Sequence, residues 1–251
     1  MAALAPLSYN EQEMWFNIQL NRINSCCLQV ILELKNSIDD KLVGDSIDVE
    51  ALKKALLIVI SRHSALSSKY ASNGEDYPVR TIDPKIHEKF SLNVIDIREE
   101  TDIKKEGVIK LLKRLSSECA STPFNMESDF LMRSTLFLNE QFKAYLLLDF
   151  HPIIVDASSI EIIVKEIGLF YRRESENNDA NVLAADTSRE TDIGLIPNVP
   201  LHQVDFAASQ RHLAMDSWEI VELVKSWREM LLSTFKPLSL FTDAPRPPIL
   251  R

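Results

Sequence analysis

The stretch that decides the fold reads Asp149-Phe150-His151-Pro152-Ile153-Ile154-Val155-Asp156-Ala157-Ser158-Ser159. It follows an apolar run, residues 143–150, that has the length and composition of a buried strand. It precedes residues 160–171, where apolar side chains recur every three or four positions, as on one face of a helix. Ser158 and Glu161 have capping-box spacing, so we expect Ser158 to cap this helix. Polar side chains at such a strand-to-helix junction are candidates for a buried active site.

Predicted strands and helices occur on both sides of this junction. The predicted elements are strands at residues 28–34, 131–138 and 143–150 and helices at 49–60, 108–119 and 160–171. Asp48 is placed to cap the first of these helices, and Pro123 follows the end of the second. Residues 139–141 are polar and indicate a hairpin between two of the strands. We therefore predict one α/β lobe over residues 7–173.

The pattern breaks after this lobe. Residues 174–200 are rich in Asn, Asp, Ser, Thr and Glu, which is typical of a linker. Residues 201–251 are then the beginning of a second unit, with one or two helices between residues 204 and 232. The prolines of residues 241–251 exclude a helix in the tail. We expect the three tryptophans, Trp15, Trp218 and Trp227, to be core residues of helices.

Composition excludes several kinds of partner. The net charge is −9, whereas phosphate binding needs a basic surface, so we expect no nucleic acid. No apolar run approaches the length of a membrane span, and the N-terminal segment lacks the basic region of a signal peptide. The chain has only 5 Gly and no glycine-rich loop for phosphate. A cytoplasmic protein without membrane partners is the expectation.

No cluster indicates a metal or a hydrolase. The three cysteines, Cys26, Cys27 and Cys119, lack zinc-ligand spacing, and we expect them to be reduced. Histidines outside the opening stretch have no partners at metal-ligand spacing; they are His63, His87, His202 and His212. No Gly-x-Ser-x-Gly sequence is present for a serine hydrolase.

Several motifs together carry a family resemblance. The opening stretch resembles the His-His-x-x-x-Asp-Gly signature of condensation domains in nonribosomal peptide synthetases. Other segments resemble further motifs of that family, in family order: Leu7–Phe16, Arg62–Leu66, Pro123–Asn125 with Leu131–Arg133, Asp205–Ala207 and Phe241–Pro247. Each match is weak alone, but their order and spacing across nearly the whole chain identify the sequence as a member of this family.

The resemblance implies the fold of chloramphenicol acetyltransferase. In that fold, two similar lobes with a mixed sheet and helices in two layers meet at the active site. The matching motifs cover the first lobe and the start of the second, so we expect the second lobe to be truncated. Family members join an acyl group on one carrier protein to an amine on another. The resemblance therefore implies carrier proteins or other synthetase modules as partners. Phosphopantetheine would be borne by those carriers, and no cofactor or metal is expected in this chain.

The same stretch indicates that catalysis is lost. His151 takes the position of the first family His, Asp156 that of the Asp and Ala157 that of the Gly, while Pro152 stands where the family has its base. Proline has no side-chain donor, acceptor or titrating group. Extended backbone turns successive side chains to opposite faces, so we expect His151 to point away from any tunnel. No catalytic residue is therefore expected in this chain.

Two further residues have structural interpretations. In the family, the motif Asp pairs with the Arg of the second motif, which implies an internal ion pair between Asp156 and Arg62. The alternative is that Asp156 helps to cap the helix that follows it. Ala157 is strained if its position requires a positive φ, and it narrows the site if the family Gly leaves room for substrate. Two functions stay open: a condensation domain completed by a partner chain, or a non-catalytic docking module.

Overall fold

The computed structural model describes residues 3–21, 27–35, 37–38, 41–42, 47–72, 74, 78–83, 85–98, 107–140, 143–178, 199 and 201–234. The strands are β1 (Ala3–Ala5), β2 (Leu28–Lys35), β3 (Ser37–Ile38), β4 (Lys41–Leu42), β5 (Ser68–Ser72), β6 (Pro78–Ile82), β7 (Leu92–Asp96), β8 (Met132–Glu140) and β9 (Lys143–Phe150). The α-helices are α1 (Tyr9–Asn21), α2 (Val49–Arg62), α3 (Val108–Ser121), α4 (Ala157–Asn178), α5 (Gln203–Asp216) and α6 (Trp218–Thr234). Short 3₁₀ turns lie at Ser64–Ser67 and Ile86–Lys89.

The central sheet has the strand order β2-β9-β8-β7. β9 pairs antiparallel with both β2 and β8, whereas β7 runs parallel to β8. The sheet is therefore mixed and lies among helices, as predicted. The predicted hairpin is formed by β8 and β9, and the parallel strand β7 was not predicted from the sequence.

Alternate residues of β9 pack into two different apolar clusters. Leu146, Leu148 and Phe150 belong to the main core, which also holds the apolar faces of α1, α2 and α4. Leu147 belongs to a smaller cluster with Leu111 and its neighbours on α3. Successive side chains of a strand point to opposite faces, so helices cover β9 on both sides. This double burial explains why β9 reads as a continuous apolar run.

A second, three-stranded antiparallel sheet has the order β1-β6-β5. It carries Arg80 on its central strand, with a side chain that is 0% exposed. The short β3 and β4 pair with each other. None of these strands was predicted, because they are short and have weak alternation of apolar and polar residues.

Two predicted helix starts can be compared with the structure. Asp48 caps α2 as predicted, since its Oδ1 accepts from Ala51 N at 2.9 Å. The prediction that Ser158 and Glu161 form a capping box was wrong, because α4 already begins at Ala157. Asp156 takes the cap position instead, and its Oδ1 accepts from Ser159 N at 2.7 Å.

The segment from residue 201 onward contains two helices of different character. α5 contacts the lobe and buries Ala207 completely. All side chains of α6 that the structure describes are exposed. Trp15 is buried as predicted, but Trp218 and Trp227 are 72% and 53% exposed, so their assignment to the core was wrong. Their helix is apolar in sequence, but its described side chains are not buried by the lobe.

Other predictions about the chain's organisation meet the structure only in part. α4 continues to Asn178, into the range predicted as a linker. Most of the remaining linker, the cysteine at position 26 and the tail 241–251 lie outside the described residues. Within the part of the chain that the structure describes, no helix is both long and apolar enough to span a membrane.

Candidate functional site

The junction between β9 and α4 begins with a tight turn. Ile154 N donates to the carbonyl of His151 at 3.1 Å, which closes a four-residue turn over residues 151–154. Pro152 is the second residue of this turn, the position for which its fixed φ is best suited. The proline is half-buried. Pro152 therefore has a structural role that its ring alone explains.

His151 is held through both its backbone and its ring. Its N–H donates to the carbonyl of Leu131 at 2.9 Å, and its Nδ1 accepts from Ile153 N at 3.1 Å. The ring lies edge-on to Phe124, with 6.0 Å between centroids. The residue is only 4% exposed, and this burial lowers its pKa to about 4. The imidazole is therefore neutral at neutral pH.

A pocket of about 460 Å³ lies beside His151. Its walls come from the end of α1, from β5 and from the loop before β8; they include Ile18, Gln19, Tyr70, Phe124, Met126 and His151. The ring of His151 thus lines a pocket of this lobe. The expectation that it points away from a tunnel between two lobes stays a prediction. The residue after it, Pro152, is not among the lining residues.

Asp156 and Arg62 do not form the ion pair that the resemblance implies. Asp156 is exposed, and within the described part of the chain its carboxylate contacts the backbone N–H and the hydroxyl of Ser159. These hydrogen bonds lower the pKa of Asp156. Of the two interpretations left open, helix capping matches the structure, because the first turn of α4 holds Asp156 at the surface.

Arg62 binds a different carboxylate, that of Glu166 on α4. Its Nε and Nη2 donate to the two carboxylate oxygens at 3.3 Å each. His63 Nε2 lies 2.8 Å from Oε2 of the same residue, and the Arg62 guanidinium lies 5.7 Å from the centroid of Phe170. Sequence reasoning missed Glu166, although it interrupts the apolar stripe of α4 three residues after Ile163. The sequence did contain a signal for this ion pair, because an acidic residue on the core-facing side of a helix needs a charged partner.

Ala157 is not strained by its position. It is the first residue of α4, where φ is negative, and the positive-φ residues of the described chain are two glycines elsewhere. Its side chain is exposed. The helical backbone therefore accepts alanine here without cost.

A buried charge network lies between the start of α1 and the second sheet. Oε1 of Glu11 accepts from Tyr70 Oη and from Arg80 Nη1, each at 2.8 Å. Its Oε2 accepts from the backbone N–H and the hydroxyl of Ser8 at 2.7 and 2.8 Å. Ser8 and Glu11 thus form a capping box whose spacing was visible in the sequence. Burial, followed by the charge of Glu11, raises the pKa of Tyr70, which stays protonated and donates.

The segment with the Asp-Phe-Ala motif connects to this network. Asp205 lies in the first turn of α5, and its Oδ2 accepts from the N–H of the N-cap residue His202 at 2.8 Å. Gln210 Oε1 accepts from Tyr9 N at 2.9 Å, and Arg211 Nε donates to the carbonyl of Leu7 at 2.9 Å. The Arg211 guanidinium also lies 4.1 Å from the centroid of the Tyr9 ring. α5 therefore docks against the first turn of α1.

The remaining candidates show no separate site. Cys27 and Cys119 are half-buried, and burial raises the pKa of Cys119. His212 is exposed on α5, while the side chain of His87 lies outside the described residues. Among the residues that the structure describes, no group of His, Cys, Asp and Glu has the arrangement of a metal site.

Comparison with known proteins agrees with this fold and these motifs. The family model described as the condensation domain matches residues 1–184. Phosphinothricin tripeptide synthetase PhsC of Streptomyces viridochromogenes is 27% identical over 97% of this chain and 20% of its own length. Beauvericin nonribosomal cyclodepsipeptide synthetase of Beauveria bassiana is 24% identical over 246 residues, which are 97% of this chain and 7% of that protein. The chain therefore spans a small part of the length of these relatives.

Two solved structures have the same fold. The first condensation domain of the calcium-dependent antibiotic synthetase, in complex with a substrate analogue, has a TM-score of 0.69 and 17% identity. The starter condensation domain of rhizomide synthetase RzmA has a TM-score of 0.70 and 14% identity. Each match covers 94% of this chain and about half of the solved chain, 50% and 49% respectively. The sequence, its motifs and its fold thus agree: the chain belongs to the condensation-domain family of nonribosomal peptide synthetases.

Proposed function

We propose that this chain is a non-catalytic condensation-type module that docks a carrier protein of nonribosomal peptide synthesis. The observation that carries the proposal is Pro152, which stands where the family resemblance places the base. A general base must reach the amine proton with a group that accepts it, and proline has none. The position holds a proline in a backbone turn and no titrating side chain.

His151 is a poor replacement for that base. Its Nδ1 already accepts from Ile153 N, and burial lowers the pKa of the ring to about 4. A base works best when its pKa lies near the working pH, so an imidazole this acidic has little tendency to take a proton at neutral pH. Carrier docking then remains as the family property that does not depend on the base. Phosphopantetheine would enter on the carrier.

The test separates chemistry from docking. Purified protein is mixed with donor and acceptor aminoacyl carrier proteins, and amide product is followed by mass spectrometry beside a condensation domain with an intact motif. We expect no product above the no-protein control, together with measurable binding of the carrier by titration. Product that disappears in His151→Ala would replace this proposal with the enzymatic alternative. Absence of carrier binding would remove the docking role.

A further inference from the structure

The start of α1 provides the polar groups on which α5 docks. Residues 7–12, the docking segment, offer main-chain groups and short side chains to α5. The contacts run from Arg211 Nε to the carbonyl of Leu7 at 2.9 Å, from Arg211 Nη2 to Gln12 Oε1, from Tyr9 N to Gln210 Oε1 at 2.9 Å and from Gln203 Nε2 to Ser8 Oγ at 3.5 Å. Hydrogen bonds depend steeply on distance and angle, so α5 docks well on one conformation of this segment.

That conformation is held from the other side by the buried Arg80. Its Nη1 donates to Oε1 of Glu11 at 2.8 Å, and its Nη2 donates to the carbonyl of Pro6 at 3.2 Å. Oε2 of Glu11 accepts in turn from the N–H and the hydroxyl of Ser8. The side chains of Arg80 and Glu11 are 0% and 6% exposed, so water does not replace either partner. Removal of one of them leaves a buried charge unpaired and loosens the docking segment.

Few other contacts hold α5. Among its described side chains, Ala207 alone is buried, whereas Phe206 and Leu213 are each 55% exposed. An element with so few buried contacts opens at a lower free energy than the core, so α5 has a docked and a released state. Ser217 alone separates α5 from α6, which means that the docked α5 also sets where the exposed apolar side chains of α6 lie.

We propose that α5 is a strap and that Arg80 and Glu11 set the equilibrium between its docked and released states by fixing the docking segment. Neither residue makes a hydrogen bond to α5 in the described part of the chain. They are therefore positioning residues, which act on α5 through Pro6 and Ser8. The inference does not depend on carrier binding, because the equilibrium belongs to the chain alone.

Hydrogen exchange of the full chain measures the strap. Amides of α5 report its release, and amides of β9 report the stability of the lobe. In Glu11→Gln, the amide oxygen accepts at one end of the side chain only, so Arg80 and the Ser8 N–H are no longer both satisfied. Tyr70→Phe is a milder second variant, because it removes one donor to Glu11 and keeps the ring.

Leu147→Ala is the matched control for a general loss of stability. Leu147 is 0% exposed and belongs to the smaller apolar cluster, which does not include Leu7 of the docking segment. The substitution leaves a cavity and so lowers the stability of the lobe. It leaves the hydrogen bonds of Glu11 and Arg80 in place.

We expect exchange of α5 to rise about tenfold in Glu11→Gln and about threefold in Tyr70→Phe, because hydrogen bonds to a buried charge are lost. In Leu147→Ala, exchange of β9 should rise while that of α5 stays within about twofold of wild type. Exchange of α5 within about twofold of wild type in both Glu11→Gln and Tyr70→Phe would overturn the proposal. An equal rise in Leu147→Ala and Glu11→Gln would also overturn it, since α5 would then open only with the whole lobe.

Combination with Arg211→Ala tests whether Glu11 acts through the strap contacts. A loosened docking segment has already lost part of its contact with Arg211. The double variant Glu11→Gln with Arg211→Ala should therefore raise exchange of α5 by less than the product of the two single increases. An increase equal to that product would show two independent effects and would contradict the coupling.

Discussion

At the scale of single residues, His151 is a group whose pKa the fold lowers strongly. Burial lowers its pKa from 6.5 to about 4, so the folded chain binds a proton here less readily than the unfolded chain. Between these two values the unfolded state holds more protons. Stability from this residue is therefore present above pH 6.5 and is lost as the pH falls towards 4.

We predict that, as the pH is lowered from 6.5 towards 4, the free energy of unfolding falls faster for the wild-type chain than for His151→Asn. The difference in slope should be at most about 1.4 kcal/mol per pH unit, the value for one proton. Urea unfolding at a series of pH values measures it. Asp149, whose pKa burial raises, titrates with the opposite sign but is present in both proteins, so it cancels in the difference. If the free energy of unfolding changed equally with pH in the two proteins, burial would not lower the pKa of His151.

Arg62 illustrates how partner choice depends on burial. The carboxylate of Glu166 is 11% exposed and faces α2, whereas Asp156 is at the exposed start of the same helix. A charge interaction is stronger where water is excluded, so the buried carboxylate is the better partner for a guanidinium. The family resemblance thus identified Arg62 as a residue of an internal ion pair, but its partner in the structure is Glu166 and not Asp156.

We predict a coupling free energy of about 1 kcal/mol or more between Arg62→Ala and Glu166→Gln in a double-mutant cycle of unfolding. The matched cycle of Arg62→Ala with Asp156→Asn should give a coupling within about 0.5 kcal/mol of zero. Denaturant unfolding of the single and double variants supplies both values. A larger coupling with Asp156 would restore the ion pair that the resemblance implies.

At the scale of elements, the start of α4 was the point where local sequence rules gave the wrong residue. Asp156 and Ser158 are both favourable caps and lie two positions apart. The turn at residues 151–154 places Asp156 at the end of the extended segment, and the helix begins directly after it. The turn before the helix therefore decides whether Asp156 or Ser158 is the cap. The periodicity of the sequence does not contain this information.

We predict that Asp156→Ala lowers the free energy of unfolding by about 1 kcal/mol, because the Ser159 N–H loses its cap. Ser158→Ala, which removes the cap proposed from sequence, should change stability by less than about 0.5 kcal/mol. Asp156→Ser should recover most of the loss, since a hydroxyl also caps helices. Thermal or urea unfolding of the three variants measures this order, and an equal loss for both alanine variants would contradict it.

Sequence and structure agree where a signal is local and periodic. The strands β2, β8 and β9 and the helices α2, α3 and α4 follow from alternation or from a helical stripe, and the Asp48 cap from its position. The network of Glu11, Tyr70 and Arg80 could not be predicted in the same way. Its partners are separated by 59 and 69 residues, and nothing local marks a buried arginine. The pocket beside His151 is likewise built from segments that only the fold brings together.

At the scale of the whole molecule, α5 and α6 differ in how the lobe holds them. α5 is fixed to the start of α1 by Arg211 and Gln210, next to the buried carboxylate of Glu11. α6 carries exposed apolar side chains along its length, including Trp218, Trp227 and Leu232. A patch of this kind tends to mark an association surface. α5 is therefore held to the lobe by these polar contacts and by the buried Ala207, whereas the described side chains of α6 are all exposed.

We predict that hydrogen exchange of the full chain will rank β9 as most protected, α5 as intermediate and α6 as least protected, because local stability follows buried contacts. Arg211→Ala should increase exchange in α5 and leave β9 unchanged. Arg228→Ala, which alters an exposed arginine of α6, is the matched control and should leave α5 unchanged. Light scattering on the same samples reports association through α6. Protection of α6 equal to that of β9 in a strictly monomeric sample would contradict this division, because it would require the exposed apolar side chains to be held by the chain itself.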